Sequence, residues 1–271
     1  MFRYTGNAYD RKFLPRLTTV EVASLPKDGT LLVLPVGAVE QHGAHLPVFT
    51  DTLLGEAMLY EAFERLPEEA PVWLLPSVSY GKSGEHLGHA GTITLSAQTM
   101  MALLLDIASS LQRSGFRKLV LFNTHGGNVD VLNMMARDIR IATGLAVFRL
   151  DPGTLQLSEG LVTDEEQRCG IHGGDVETSL VMAIQRHWVQ AGHAVKEIPE
   201  FPETKAMSLR QKSFAWTTND ISSSGIAGDA TAATEEKGRE LLRRAGAVIA
   251  ESLLEMAAFE MTSIKREGVM R

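Results

Sequence analysis

Four short apolar runs punctuate the first half of the chain: Leu31–Val36, Val72–Leu75, Lys118–Asn123 and Leu145–Phe148. Turn-forming residues bound several of them: Lys27-Asp-Gly29 before the first, Pro71 and Pro76 around the second, Asp151-Pro-Gly153 after the last. Short, apolar and flanked in this way, they read as buried strands. Between them the apolar positions recur every three to four residues. Leu53, Leu54, Ala57, Met58, Ala62 and Leu66 follow Asp51, Met100 to Leu111 ends before Gly115, and Val129 to Ile141 ends before Gly144. That period predicts helices, with glycine as the stop signal. Strand alternating with helix implies parallel strands, and strands apolar at every position imply a sheet covered on both faces. Further helices are predicted from about Val176 to Trp188 and from Glu235 to Phe259, whereas Gly192 to Thr234 reads as loops with short elements. With no repeat and no linker, the expectation is an α/β fold: a single domain over residues 1–271 with a mostly parallel sheet flanked by helices.

Composition narrows the function. The chain has 271 residues, 44% of them hydrophobic and 22% charged, which is globular usage. Its formal charge of −7 argues against general nucleic-acid binding. No apolar run reaches the roughly 18 residues that span a bilayer, and the polar stretch Met1 to Asp10 lacks a signal-peptide core. The single cysteine, Cys169, excludes an intrachain disulfide and suits a reducing compartment. A cytoplasmic protein acting on a small molecule is expected.

The candidate chemistry lies in the loops. Six of the eight histidines fall in four glycine-containing loops, two of which directly follow predicted strands. Ligands of open parallel sheets bind outside the carboxyl ends of the strands. The first loop carries Glu40, His42 and His45 and runs on to Asp51. Imidazole with carboxylate suits Zn, Mn or Fe, although Asp51 also fits a helix N-cap. The second, Asn123-Thr-His125-Gly126-Gly127-Asn128, places His125 at a strand end as a further ligand, with the glycine N–H groups and Asn128 facing the substrate. In the third, His172-Gly-Gly-Asp175-Val-Glu177, His172 is the candidate proton-transfer group and Glu177 a candidate metal carboxylate, while Asp175 fits an N-cap. The fourth, Tyr80 to Thr92, brings Ser83, Glu85 and His86 as a substrate-contacting loop. Lys82, Arg168, Lys205 and Arg210 are available to an anionic substrate.

These segments resemble the creatininase (creatinine amidohydrolase) family: Glu40-Gln-His-Gly-Ala-His-Leu-Pro with Thr50-Asp51, Asn123-Thr-His-Gly-Gly-Asn, His172-Gly-Gly-Asp-Val-Glu-Thr-Ser, and Gly225-Ile-Ala-Gly-Asp to Gly238. The resemblance implies a metal-dependent hydrolase of carbon–nitrogen bonds other than ordinary peptide bonds, assembled as a homohexamer. It implies one or two divalent ions (Zn, Mn or Fe), with Glu40 and His125 holding one, His42 the other and Asp51 bridging. Creatininase proper has a metal-binding glutamate where this chain has Gly127, so Glu177 or a substrate group must complete the second site. Creatininase proper also has a tryptophan over its substrate ring just before the His172 segment, and Gln167-Arg-Cys-Gly170 has none. The Asn-x-His-Gly-Gly-Asn form is more similar to the branch that includes a nucleotide formamide hydrolase and a peptidase of a peptide-derived redox cofactor. Two other readings stand beside this one: a mononuclear non-haem iron enzyme using His42, Asp51 and His125, and a non-catalytic binding protein on the same fold.

Overall fold

The computed structural model describes residues 4–202, Thr204, Met207 and 214–264. Its elements in chain order are α1 (Asn7–Asp10), α2 (Thr19–Ser24), β1 (Leu31–Val36), α3 (Thr50–Phe63), β2 (Val72–Leu74), α4 (Ala97–Arg113), β3 (Lys118–Asn123), α5 (Val129–Thr143), β4 (Ala146–Leu150), α6 (Asp164–Cys169), α7 (Asp175–Gln185), β5 (Lys196–Glu197), α8 (Thr218–Ile221), β6 (Gly228–Asp229) and α9 (Glu235–Ala258). The four expected strands form one parallel sheet in the order β2-β1-β3-β4. Side chains alternate across a strand, so each strand feeds two cores. Leu31, Val33, Val120 and Phe122 pack with α3, α7 and α9 on one face. Leu32, Leu34, Val36, Leu119 and Leu121 pack with α4 and α5 on the other.

This topology sets the place of the site. From β1 the chain goes to one side, to β2, and returns to β3 on the other. Val36 at the end of β1 lies opposite Asn123 at the end of β3. The loops after these two strands therefore emerge side by side, at the switch point where open α/β sheets bind ligands.

Several ends form for local reasons. Ser96 caps α4 by accepting from Thr99 N–H, and Thr234 caps α9 through Lys237 N–H. Gly144 ends α5 in the left-handed region, at φ 76°, as its place in the sequence predicts. Lys118 opens a buried strand because its ammonium donates to the Ala257 carbonyl at 2.6 Å and pairs with Glu260 at 2.8 Å, holding the end of α9.

The structure shifts some boundaries. The fourth strand starts and ends later than the run Leu145 to Phe148 suggests, and the helix expected to reach Trp188 closes at Gln185, followed by one 3-10 turn. Within 192–234 lie α8 and an antiparallel pair of two-residue strands, β5 with β6. Elements α1, α2 and α6 have too few periodic apolar positions to show in the pattern. Lys205 and Arg210 lie outside the described residues. Among the described residues no helix is long and apolar enough to cross a membrane.

Helices α7 and α9 touch closely at Gly238, where an added Cβ would overlap the Ser179 carbonyl oxygen. Overpacking of this kind costs about 1–3 kcal/mol. Gly238→Ala is accordingly expected to lower the midpoint of thermal or denaturant unfolding. Gly29→Ala, with no atom within 4 Å of its added methyl, serves as the neutral control.

Candidate metal centre

Three loops are tied together before any functional group is placed. Asn123 at the end of β3 uses its carboxamide locally: Oδ1 accepts from His125 N–H at 3.2 Å, and Nδ2 donates to the His125 carbonyl and to Asp151. Asn128 donates to the Gly37 carbonyl at 3.0 Å and accepts from Lys82 N–H at 2.9 Å. Thr124 donates to the Asp51 carbonyl at 2.8 Å, fixing the start of α3 against the turn after β3. The His172 backbone forms an antiparallel bridge with Ala227, which sets the entry to α7. Asn128 was expected to face the substrate. It is fully buried instead, with its amide engaged by the protein, and acts as a brace between loops. Asp51 is not an N-cap: Phe49 takes that position, and Asp51 points inward from the first turn. Asp175 is likewise no cap, since its carboxylate accepts from Ser179 and pairs with Lys237.

The inward groups converge. Glu40 Oε1 lies 3.2 Å from His125 Nδ1 and 3.3 Å from His86 Nε2. Asp51 spans two imidazoles, with Oδ1 3.5 Å from His42 Nε2 and Oδ2 3.3 Å from His125 Nδ1. Glu177 Oε2 lies 3.8 Å from His42 Nε2, at the partly exposed rim. His172 is sandwiched between the His42 and His86 rings, at centroid separations of 4.2 and 4.3 Å. Among the described residues three sets of metal-type donors result: Glu40–Asp51–His125, His42–His172–Glu177 and Glu40–His86–His172.

The electrostatics of the cluster call for a cation. Burial pulls the His42 imidazole down, yet Asp51, Glu177 and Glu40 together push it up to about 10. Burial likewise opposes the charge on His125, and Glu40 and Asp51 outweigh it and raise its pKa. Asp51 moves the other way: burial favours its neutral form, but His42 and His125 hold the carboxyl far below its usual range. Glu177 is raised, first by burial and then by the neighbouring carboxylates. Burial, His42 and His86 keep His172 neutral, and burial pushes His86 down to about 4. Glu40 Oε2, His42 Nε2 and Asp51 Oδ2 are buried with no hydrogen-bond partner. Unpartnered buried acceptors on residues that converge in this way fit a divalent ion of the Zn or Mn type, and their carboxylate–imidazole chemistry matches it.

Gly127, where a side chain is missing relative to creatininase proper, is filled from another loop. A Cβ at Gly127 would overlap Glu85 Oε1 and the Lys82 carbonyl, and would stand 2.5 Å from His125 Nε2. Glu85 Oε1 itself lies 3.7 Å from that nitrogen. Ser83 is fully buried with its hydroxyl 3.3 Å from His125 Nε2, and Gly126 has open space where a side chain would stand. The sequence reading placed His86 among the substrate contacts, and the structure buries it against Glu40. Sequence reasoning passed over Gln41 and Thr218, which reach this cluster from the interior; their only signal was position, within or far from a recognisable motif.

A carboxylate clasp steadies the far wall. Glu197 in β5 accepts from the hydroxyls of Ser222, Ser223 and Ser224 and from the backbone N–H groups of Ser223 and Ser224, just before Gly225. Burial acts to raise its pKa, but these hydrogen bonds prevail and hold it at about 2, against an ordinary value of 4.5. The stabilisation is therefore full above about pH 4.5 and fades as pH falls toward 2. The difference in melting temperature between the wild type and Glu197→Gln should shrink over that interval and be constant above it. In the second loop, Gly127→Ala must displace Glu85 or the Lys82 backbone beside His125. It is expected to weaken zinc or manganese binding about 10–100-fold by titration calorimetry, as disturbing groups behind a ligand does.

Comparison with known proteins gives the family and the fold. The family model for creatininase, described as creatinine amidohydrolase, matches residues 15–253. The chain is 34% identical over 253 residues to the mycofactocin precursor peptide peptidase of Mycobacterium ulcerans (strain Agy99), covering 87% of this chain and 90% of that one. It is 32% identical over 209 residues to the creatinine amidohydrolase of Pseudomonas putida, covering 69% and 77%. Among solved structures, a manganese creatininase superposes with a TM-score of 0.70 at 28% identity, over 92% of this chain and all of that one. A mutant creatininase of Zn-Zn type gives 0.68 at 28% identity, over 91% and 98%.

Proposed function

The chain belongs to the creatininase family of amidohydrolases, and from that premise we propose that it hydrolyses a carbon–nitrogen bond of a small cyclic amide, a formamide or a peptide-like amide with two divalent ions. The observation that carries this is Asp51, whose two oxygens face His42 and His125 separately. Glu40, Asp51 and His125 would hold one ion; Asp51, His42 and Glu177 would hold the other. Glu177 thus supplies the carboxylate that Gly127 cannot. When bound, such ions lower the pKa of water and polarise an amide carbonyl.

The chain's own groups do the rest. His172 is nearly buried and neutral, with its Nδ1 turned toward Glu40 at 3.8 Å. It takes a proton at Nδ1 as water attacks and returns it to the departing nitrogen. Ser83 and the N–H groups near Gly126 and Gly127 line the same loops and orient the carbonyl. Relatives named for a peptide precursor and for creatinine support an amide substrate. The absent tryptophan before His172 speaks against creatinine itself. The two further carboxylates, Glu40 and Glu177, exceed what a two-histidine, one-carboxylate iron site requires and favour hydrolysis over oxygen chemistry.

His172→Gln is expected to lower kcat about 10²–10⁴-fold while metal content stays at the wild-type level. The assay is turnover of a panel of cyclic amides, formamides and short peptides under nitrogen, with protein stripped by chelator and reloaded with Zn or Mn. Activity that is restored by the ion in the absence of oxygen supports the proposal. Activity indifferent to chelation, or dependent on oxygen, removes it.

A further inference from the structure

Of the three donor sets, the one made by Glu40, His86 and His172 differs from the others in what lies behind it. The side chain of Gln41 sits there, buried, between two motif residues. Its amide orientation is fixed by partners that have no choice of role. Gly43 N–H can only donate, and it lies 2.8 Å from Oε1. The Gly225 carbonyl can only accept, and it lies 3.0 Å from Nε2. Gln41 Nε2 therefore has one hydrogen left. Two ring nitrogens are within its reach, His86 Nδ1 at 2.9 Å and His172 Nε2 at 3.1 Å. The second is excluded, because His172 Nε2 lies 2.7 Å from the Gln41 carbonyl and must itself carry a hydrogen to donate there. The remaining hydrogen of Gln41 goes to His86 Nδ1, which must present a lone pair. The Thr218 hydroxyl, 2.7 Å from the same nitrogen, directs its one hydrogen to the Glu85 carbonyl at 3.0 Å, so Gln41 is the donor on which the tautomer depends. The proton of the neutral His86 ring then sits on Nε2, which faces Glu40 Oε1 at 3.3 Å.

We propose that Gln41 is a positioning residue that locks His86 as an Nε2–H donor to Glu40, so that His86 anchors a metal-binding carboxylate and is not itself a metal ligand. The inference rests on the metal-site reading above for its consequence but not for its geometry. Its consequence is twofold. The Glu40–His86–His172 set is closed to an ion, because the ring nitrogen it needs carries a hydrogen. Glu40 Oε1 is held by His86, which leaves the unpartnered Oε2 to face an ion. Behind a ligand, such a partner fixes orientation and basicity.

The test is the tautomeric state of His86 in protein labelled with ¹⁵N-histidine, read by long-range ¹H–¹⁵N correlation before and after zinc is added, with the signals assigned from His86→Gln. The expected result is a protonated Nε2 and a bare Nδ1 in both states, with the zinc-induced shifts confined to other histidines. A protonated Nδ1 in the wild type, or an Nε2 that becomes zinc-bound, overturns the proposal. Gln41→Glu replaces the donor by an acceptor and should transfer the proton to His86 Nδ1; an unchanged His86 signature in that variant removes Gln41 from the role. Failure to bind zinc at all would count against the metal-site reading alone, because the zinc-free spectrum still decides the tautomer.

Discussion

The rest of the structure depends on a concentration of negative charge buried away from the surface. Glu40 and Asp51 are fully buried, Glu177 stands at the rim, and the imidazoles beside them carry no charge of their own when neutral. Burying an unpaired carboxylate costs several kcal/mol even after relaxation. The site has two ways to meet this cost. One is to protonate His42 and His125, which is the direction in which their pKa values move. The other is to take up divalent cations, which replace those protons and leave the imidazoles free to ligate. Three buried atoms without hydrogen-bond partners, Glu40 Oε2, His42 Nε2 and Asp51 Oδ2, belong to the residues that the second solution uses.

Such a cluster holds together only if its supports are rigid. The sheet provides the first support, by ending β1 and β3 at the same level. Side-chain amides provide the second: Asn123 and Asn128 pin the loops after those strands to each other and to the loop carrying Ser83 and Glu85. On the opposite side Glu197 gathers the serines that precede Gly225, and Gly225 in turn receives the Gln41 amide. The Asn123, Asn128 and Gln41 links lie in the interior, where satisfied networks confer a single geometry, whereas the Glu197 clasp lies nearer the surface.

The legibility of this arrangement in the sequence follows from the range of the interactions. The four main strands are visible because burial on both faces makes them apolar throughout, and the helices α3, α4, α5, α7 and α9 because packing on the sheet gives their apolar positions a helical period. Glu40, His42, Asp51, His125, His172 and Glu177 are visible because chemistry of one kind recurs in glycine-rich loops at strand and helix ends. Other features depend on pairings across the fold. The gap at Gly127 reads in the sequence as a missing side chain, whereas in space Glu85 fills it from forty-odd residues away. Gln41 is a spacer within a motif until Gly225 is brought against it. Thr218 lies in a stretch without hydrophobic period and reaches His86 only through the tertiary fold. Asn128 was misread because a polar residue in a site loop suggests a ligand contact, and only the three-loop junction shows that its hydrogen bonds are used up.

The central claim is that the buried carboxylate–imidazole cluster is built around two divalent ions joined by Asp51. Elemental analysis of the wild-type chain, purified without chelator and dialysed against zinc or manganese, tests it most directly. The account predicts two ions per folded chain. One ion, or a fully folded chain with none, would contradict it.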